Sequence, residues 1–273
     1  MEHVAEVPEG EATGATAMLY RDIRAVTGCG MVNLIYRHLA AEPGHLEWAW
    51  GAVRPLFVSG EISLTRAALV ETLELPAARP LPASAFRLVG VDGDAIRAIA
   101  AVLDHYNRGN SGNLFAIGAL LHAIEAGRGG RGADLPAESP AEPEPLPPIL
   151  PLDAMTPDVA DLVLALSAPV ATADNPLIPS LYRHLALWPG FLALGAARVL
   201  PMHEAGMVEE LAATLHHRAD AAAETMARKL SAQGGLPVNC DRSAITRLLR
   251  SFTTGPVPTM VVIGLVLRRM LPV

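Results

Sequence analysis

The sequence predicts an all-α protein of two tandem helical repeats that pair as an intramolecular pseudo-dimer. Three observations carry this prediction. Apolar residues recur at helical spacing, and no convincing alternating strand is found. Aromatic residues make up only 4% of the chain, so Leu, Ala and Val must fill the core, which favours helices over a sandwich or barrel. Residues 36–46 (YRHLAAEPGHL) return at residues 182–192 (YRHLALWPGFL) with eight of eleven positions identical, an offset of 182 − 36 = 146. The same offset lays Pro55 on Pro201, Tyr106 on Phe252, Gly109 on Gly255, and Ile117-Gly118 on Ile263-Gly264. One shift that aligns both ends of each half indicates a tandem duplication.

The elements follow in order. The first repeat spans residues 1–126. Its acidic start, Met1-Glu2-His3, lacks the basic-then-apolar pattern of a signal peptide. The helix carrying YRHLA is expected to end at Pro43-Gly44, and its counterpart in the second repeat at Pro189-Gly190. Residues 95–105 place Ile96, Ile99, Ala100 and Leu103 on one face, with Asp94 as the N-cap. Residues 106–113 (YNRGNSGN) are rich in amides and glycine, which favours a turn between two apolar helices. Residues 127–151 carry seven prolines and read as a semi-extended linker. The second repeat, residues 152–273, opens on Thr156-Pro157-Asp158: a cap, a proline at the first helical position and an acidic first turn. A long Ala/Glu/Arg-rich helix is expected over residues 207–230.

Bulk properties narrow the function. A chain of 273 residues, 51% hydrophobic and 18% charged, can bury a sizeable core. A formal net charge of −7 gives no electrostatic case for nucleic acid. Residues 257–267 are apolar but interrupted by Pro258 and too short to cross a bilayer, so no membrane role is expected. Two cysteines, Cys29 and Cys240, form no disulfide framework, and a cytoplasmic location is expected.

Several motifs fail on context. Residues 127–132 (GRGGRG) fit GxGxxG but sit in the linker, without the strand and helix that aim a pyrophosphate site. His203-Glu204 begins like a zincin motif, but position 207 is Met. His216 and His217 are adjacent, so on a helix they diverge by about 100° and cannot share a metal; solvated or capping roles are expected. No GxSxG elbow is present, and neither cysteine has a visible activating partner.

Two features remain as site candidates. In the repeated Tyr-Arg-His, Arg37 and Arg183 either pair structurally or approach the pseudo-twofold axis as a carboxylate clamp. In residues 106–113, Asn107 and Asn113 face Thr253 and Thr259 at the shift of 146, while Asn110 faces Pro256. An amide kept in one half alone is what a single site shared by two halves produces.

Residues 20–40, 48–55, 106–120 and 179–189 together resemble the group I D,L-2-haloacid dehalogenases, a family also labelled halocarboxylic acid dehydrogenase. The resemblance implies two helical repeats around one active site, a cofactor-free and metal-free hydrolysis, and a homodimer. It further implies that an aspartate activates water to displace halide from C2 of a small 2-halocarboxylate while an asparagine holds that water. The asparagine falls on Asn110, and the substrate-binding candidates are Leu34, Ser180 and Leu181, together with the Arg37 and Arg183 of the repeated motif. The aspartate's position is occupied by Leu181, which cannot accept a proton. Asp174 and Asn175 lie upstream in a loop. Three readings therefore stay open: a dehalogenase with a relocated base, a different enzyme on this scaffold, and a non-catalytic small-molecule-binding or structural protein.

Overall fold

Local sequence sets where the helices begin. In the computed structural model, which describes residues 5–76, 80–128, 141–171, 178–230, 236–237 and 240–272, helices take up 70% of the chain and no strand occurs among the described residues. The first half holds α1 (Gly14–Thr27), α2 (Leu34–Leu39), α3 (His45–Val58), α4 (Glu61–Leu69), α5 (Ala83–Leu88) and α6 (Gly93–Glu125). The second holds α7 (Pro157–Ser167), α8 (Ser180–Leu185), α9 (Pro189–Glu204), α10 (Met207–Ala227), α11 (Arg242–Thr254) and α12 (Val257–Met270). Asn33 caps α2 by accepting from the Ile35 N–H, and Asp241 caps α11 by accepting from the Ser243 and Ala244 N–H groups.

Three local expectations are corrected. The N-cap of α6 is Asp92, whose carboxylate accepts from the Ala95 N–H at 2.8 Å; Asp94 lies in the first turn. The Pro-Gly pairs start helices rather than ending them. Gly44, at φ 78°, is the N-cap of α3, and Pro189 sits at the first turn of α9, where an N–H has no helical partner to lose. Residues 106–113 are no turn: they lie inside the 33-residue α6. Tertiary contacts override the turn propensity there. The Ser111 hydroxyl donates back to the Asn107 carbonyl, and Asn113 accepts from the Tyr36 hydroxyl across the core.

The shift of 146 maps residues 34–39 onto 180–185, which are α2 and α8, and residue 61 onto 207, the first residues of α4 and α10. It maps 96–108 and 111–124 onto α11 and α12. The break falls at Gly255 and Pro256, the counterparts of Gly109 and Asn110. A proline removes one helical N–H and clashes with the preceding turn, so the second half breaks where α6 runs through.

α6 is the central helix, packed against α10, α11 and α12 from the second half and α3, α4 and α8 around it. A Cβ on Gly118 of α6 would lie 2.9 Å from that of Ala223, so a glycine is what lets α6 and α10 approach so closely. Buried side chains from both halves form one continuous apolar cluster. Trp50 lies wholly within it, and burial of such a ring contributes about 3 kcal/mol.

The linker's described part, residues 141–151, contains no regular element and runs from α1 to α8. Glu142 pairs with Arg24 at 2.7 Å, and Arg183 donates to the Leu150 carbonyl at 3.3 Å. Most of the GRGGRG stretch, and Asp174 and Asn175, lie outside the described residues. Arg242–Met270 taken as one span is long and apolar enough to cross a membrane by length and composition, but half of its apolar window is buried within the protein.

Candidate functional site

The two short helices α2 and α8 meet the same stretch of α6. From the first half, the Asn33 amide donates to Asn110 Oδ1 at 3.3 Å. From the second, His184 Nδ1 lies 3.4 Å from the Tyr106 hydroxyl. Tyr106 and Asn110 are four residues apart on α6, so they share one helix face. Ser180 and His184 stand in the same relation on α8. Tyr106, Asn110, Ser180 and His184 therefore bring one face of α6 against the start of α8, with Asn33 closing the other side.

Burial sets the electrostatics. Burial pushes the Tyr106 hydroxyl up, while the Ser180 hydrogen bond and the charges of Arg183 and Arg37 oppose it. Burial also pushes His184 down, with the Pro147 carbonyl of the linker acting the other way. His105, the residue directly before Tyr106, is pushed down to about 4 by burial, then by the charges of His184 and Arg108. Its Nδ1 accepts from the Gly30 N–H at 3.0 Å, which fixes the proton on Nε2. Burial raises the Cys29 thiol, so it is neutral and a poor nucleophile.

The sequence-derived candidates divide into two groups. Asn110 and Ser180 lie at the convergence just described. Leu181 is fully buried on α8, as Ile35 is on α2, and Leu34 beside it is exposed. Arg37 Nε lies 3.1 Å from a Glu6 carboxylate oxygen, and Arg183 points to the linker backbone. Both arginines thus have partners within the chain while their charges reach Tyr106.

Asn33, Tyr106 and His184 were not singled out from sequence for these contacts. A signal existed for His184: the duplicated YRHLA carries His38 and His184, yet His38 sits at the surface against the Ala5 carbonyl while His184 is wholly buried. Among the described residues no three His, Cys, Asp or Glu side chains cluster as metal ligands would. His203 hydrogen-bonds Glu209 at 2.6 Å and is mostly buried rather than solvated. On α10, His216 is half-buried and His217 exposed, as adjacent helical positions require.

The helical architecture has solved counterparts. The structure of D-2-haloacid dehalogenase with L-LA superposes with a TM-score of 0.68 over 97% of this chain and 93% of that one, at 20% identity. A D-2-haloacid dehalogenase mutant with D-2-CPA gives the same values. The chain has the haloacid dehalogenase fold. No family model and no curated protein matches its sequence. The haloacid dehalogenase fold here rests on helix order and packing, with four of five residues changed.

Proposed function

We propose that the chain descends from the haloacid dehalogenase family and binds a small 2-substituted carboxylate where α2 and α8 meet α6. One observation carries this reading: Asn110, on the same face of α6 as Tyr106, is held by Asn33 from one half while Tyr106 meets His184 from the other. Such convergence brings amide, phenol and imidazole groups from both halves to one stretch of α6 between apolar helices, and small-molecule sites carry a few polar groups in an apolar surround. In this reading the halves are a tandem duplication forming a pseudo-dimer, and two chains pair as a homodimer. Asn110 holds water or the ligand, and Leu34, Ser180 and Leu181 line the site. Arg37 and Arg183 supply positive charge toward the carboxylate. No cofactor takes part.

Leu181, which the resemblance sets at the family's base position, is wholly buried in the apolar core, and this favours a second reading. There the protein binds the carboxylate without turning it over.

A thermal-shift titration with L-lactate and both enantiomers of 2-chloropropionate tests the site. Ligand at 100 times its Kd stabilises a fold by about 2.7 kcal/mol, a shift of several degrees. Stabilisation by these acids, lost in Asn110→Ala, is the expected result. No shift with any of them would exclude the site.

A further inference from the structure

We propose that a cavity between α6, α10 and α11 binds one ordered water, which stands in for the amide that the first half supplies with Asn107. The cavity has about 10 Å³ of room, close to the least that a single water needs. Leu114, Gly118, His216, Ala219, Asp220 and Thr253 line it. None of these residues belongs to the convergence of α2 and α8 on α6, so the inference stands apart from the carboxylate site proposed above.

The two halves differ at the residues that form the cavity. At the shift of 146, Thr253 corresponds to Asn107, Gly118 to Gly264, His216 to Val70 and Ala219 to Leu73. In the first half Val70, Leu73 and Asn107 are all buried. Gly264 lacks the Cβ that would collide with Asn107 Oδ1, so the amide packs close against α12. In the second half threonine is shorter than asparagine and alanine shorter than leucine, which leaves room beside Gly118. His216, where the first half has valine, brings a ring nitrogen to that room.

The chemistry of the lining selects the occupant. His216 Nδ1 is buried and has no hydrogen-bond partner among the described residues. A buried nitrogen left unpaired is destabilising, and a water, which both donates and accepts, pairs it in either tautomer. The Thr253 hydroxyl donates to the Arg250 carbonyl at 3.1 Å, so its oxygen keeps lone pairs for a donor. Asp220 Oδ1 meets His122 Nε2 at 2.8 Å, which leaves Oδ2 to accept. Buried waters typically make about three hydrogen bonds, and these groups offer three. A metal ion does not fit, because among the described residues no three His, Cys, Asp or Glu side chains cluster as ligands. The water ties α10 to α11 beside the close approach of Gly118 and Ala223.

The test is a crystal structure of the full chain at a resolution that shows ordered water, with Thr253→Asn and His216→Val determined alongside. In the native protein a water is expected within about 2.7–3.2 Å of His216 Nδ1 and of Thr253 Oγ1 or Asp220 Oδ2. In Thr253→Asn the new amide is expected to displace that water and to bond Nδ1 directly. His216→Val supplies the apolar residue that the first half has at Val70, and the water is expected to be lost there too. This second variant covers the case in which Thr253→Asn fails to fold. A native structure with ordered water at other buried sites and none in this cavity overturns the proposal. So does a His216 ring whose Nδ1 bonds a protein group instead. A water that keeps its place in Thr253→Asn overturns its equivalence to the Asn107 amide.

Discussion

The Tyr36 hydroxyl donates to Asn113 Oδ1 at 2.8 Å, deep between α2 and α6, whereas its counterpart Tyr182 ends in an apolar surround with no partner for its hydroxyl among the described residues. The difference traces to one divergence between the halves: Asn113 corresponds to Thr259, whose side chain is shorter and lacks the amide. A buried acceptor left unpaired costs about 1–3 kcal/mol, while deleting an unpaired hydroxyl removes a desolvation cost. Tyr36→Phe is therefore expected to destabilise by about 1–2 kcal/mol. Tyr182→Phe is expected to be neutral or stabilising. Urea denaturation of both variants checks the contrast, and equal losses would refute it.

Asp22 is the most deeply buried carboxylate described, accepting from Trp50 Nε1 at 2.7 Å and from Arg54 at 2.7 and 3.0 Å. Removing one member of such a pair leaves the other charge buried, at a typical cost of about 3–5 kcal/mol. Arg54 keeps some solvent contact, so Asp22→Ala should sit at the lower end of that range. Its denaturation midpoint reports the loss directly.

The α6–α10 contact is predicted to tolerate no added methyl. In Gly118→Ala the new Cβ lies 2.9 Å from that of Ala223, and neither atom can swing aside. The gain in helix propensity is about 1 kcal/mol, and overpacking of a tight core costs about 1–3 kcal/mol. A net loss of stability is expected. A melting temperature above the parent's would mean that the helices separate freely.

Acid should weaken the fold before the ordinary carboxylates titrate. Burial holds His105 near 4 in the folded protein against about 6.5 when unfolded. Its contribution is complete above the unfolded value, and it falls as pH drops from about 6.5 toward 4, because only the unfolded state takes up the proton. His184, lowered in the same direction, adds to the effect. Stability measured between pH 7 and 4.5 should fall in the native protein and fall less in His105→Asn. Parallel slopes would rule His105 out as a source.

Much of the fold was legible in the sequence because helix formation leaves local marks. The period over residues 95–105 falls inside α6, which runs on to Glu125, while the Thr156-Pro157 start and the Ala/Glu/Arg-rich stretch beginning at residue 207 open helices where expected. Residues 106–113 were misread because glycine and asparagine favour turns locally, while their burial against α2, α8 and α12 is a tertiary fact that no window of sequence contains. The site divides the same way. Asn110 could be named as a candidate from the resemblance and from its mismatch with Pro256. Asn33 and His184 could not, because their contacts with α6 span 77 and 78 residues and depend on how helices cross.

The carboxylate site proposed between α2, α6 and α8 is tested most directly by calorimetric titration of the full chain and its Asn110→Leu variant with each enantiomer of 2-chloropropionate. The native protein is expected to bind the acid, and Asn110→Leu, folded by its melting transition, to bind it at least about tenfold more weakly, a loss of about 1.4 kcal/mol. No heat of binding to the native protein, or equal affinity in the variant, would contradict a site built on Asn110.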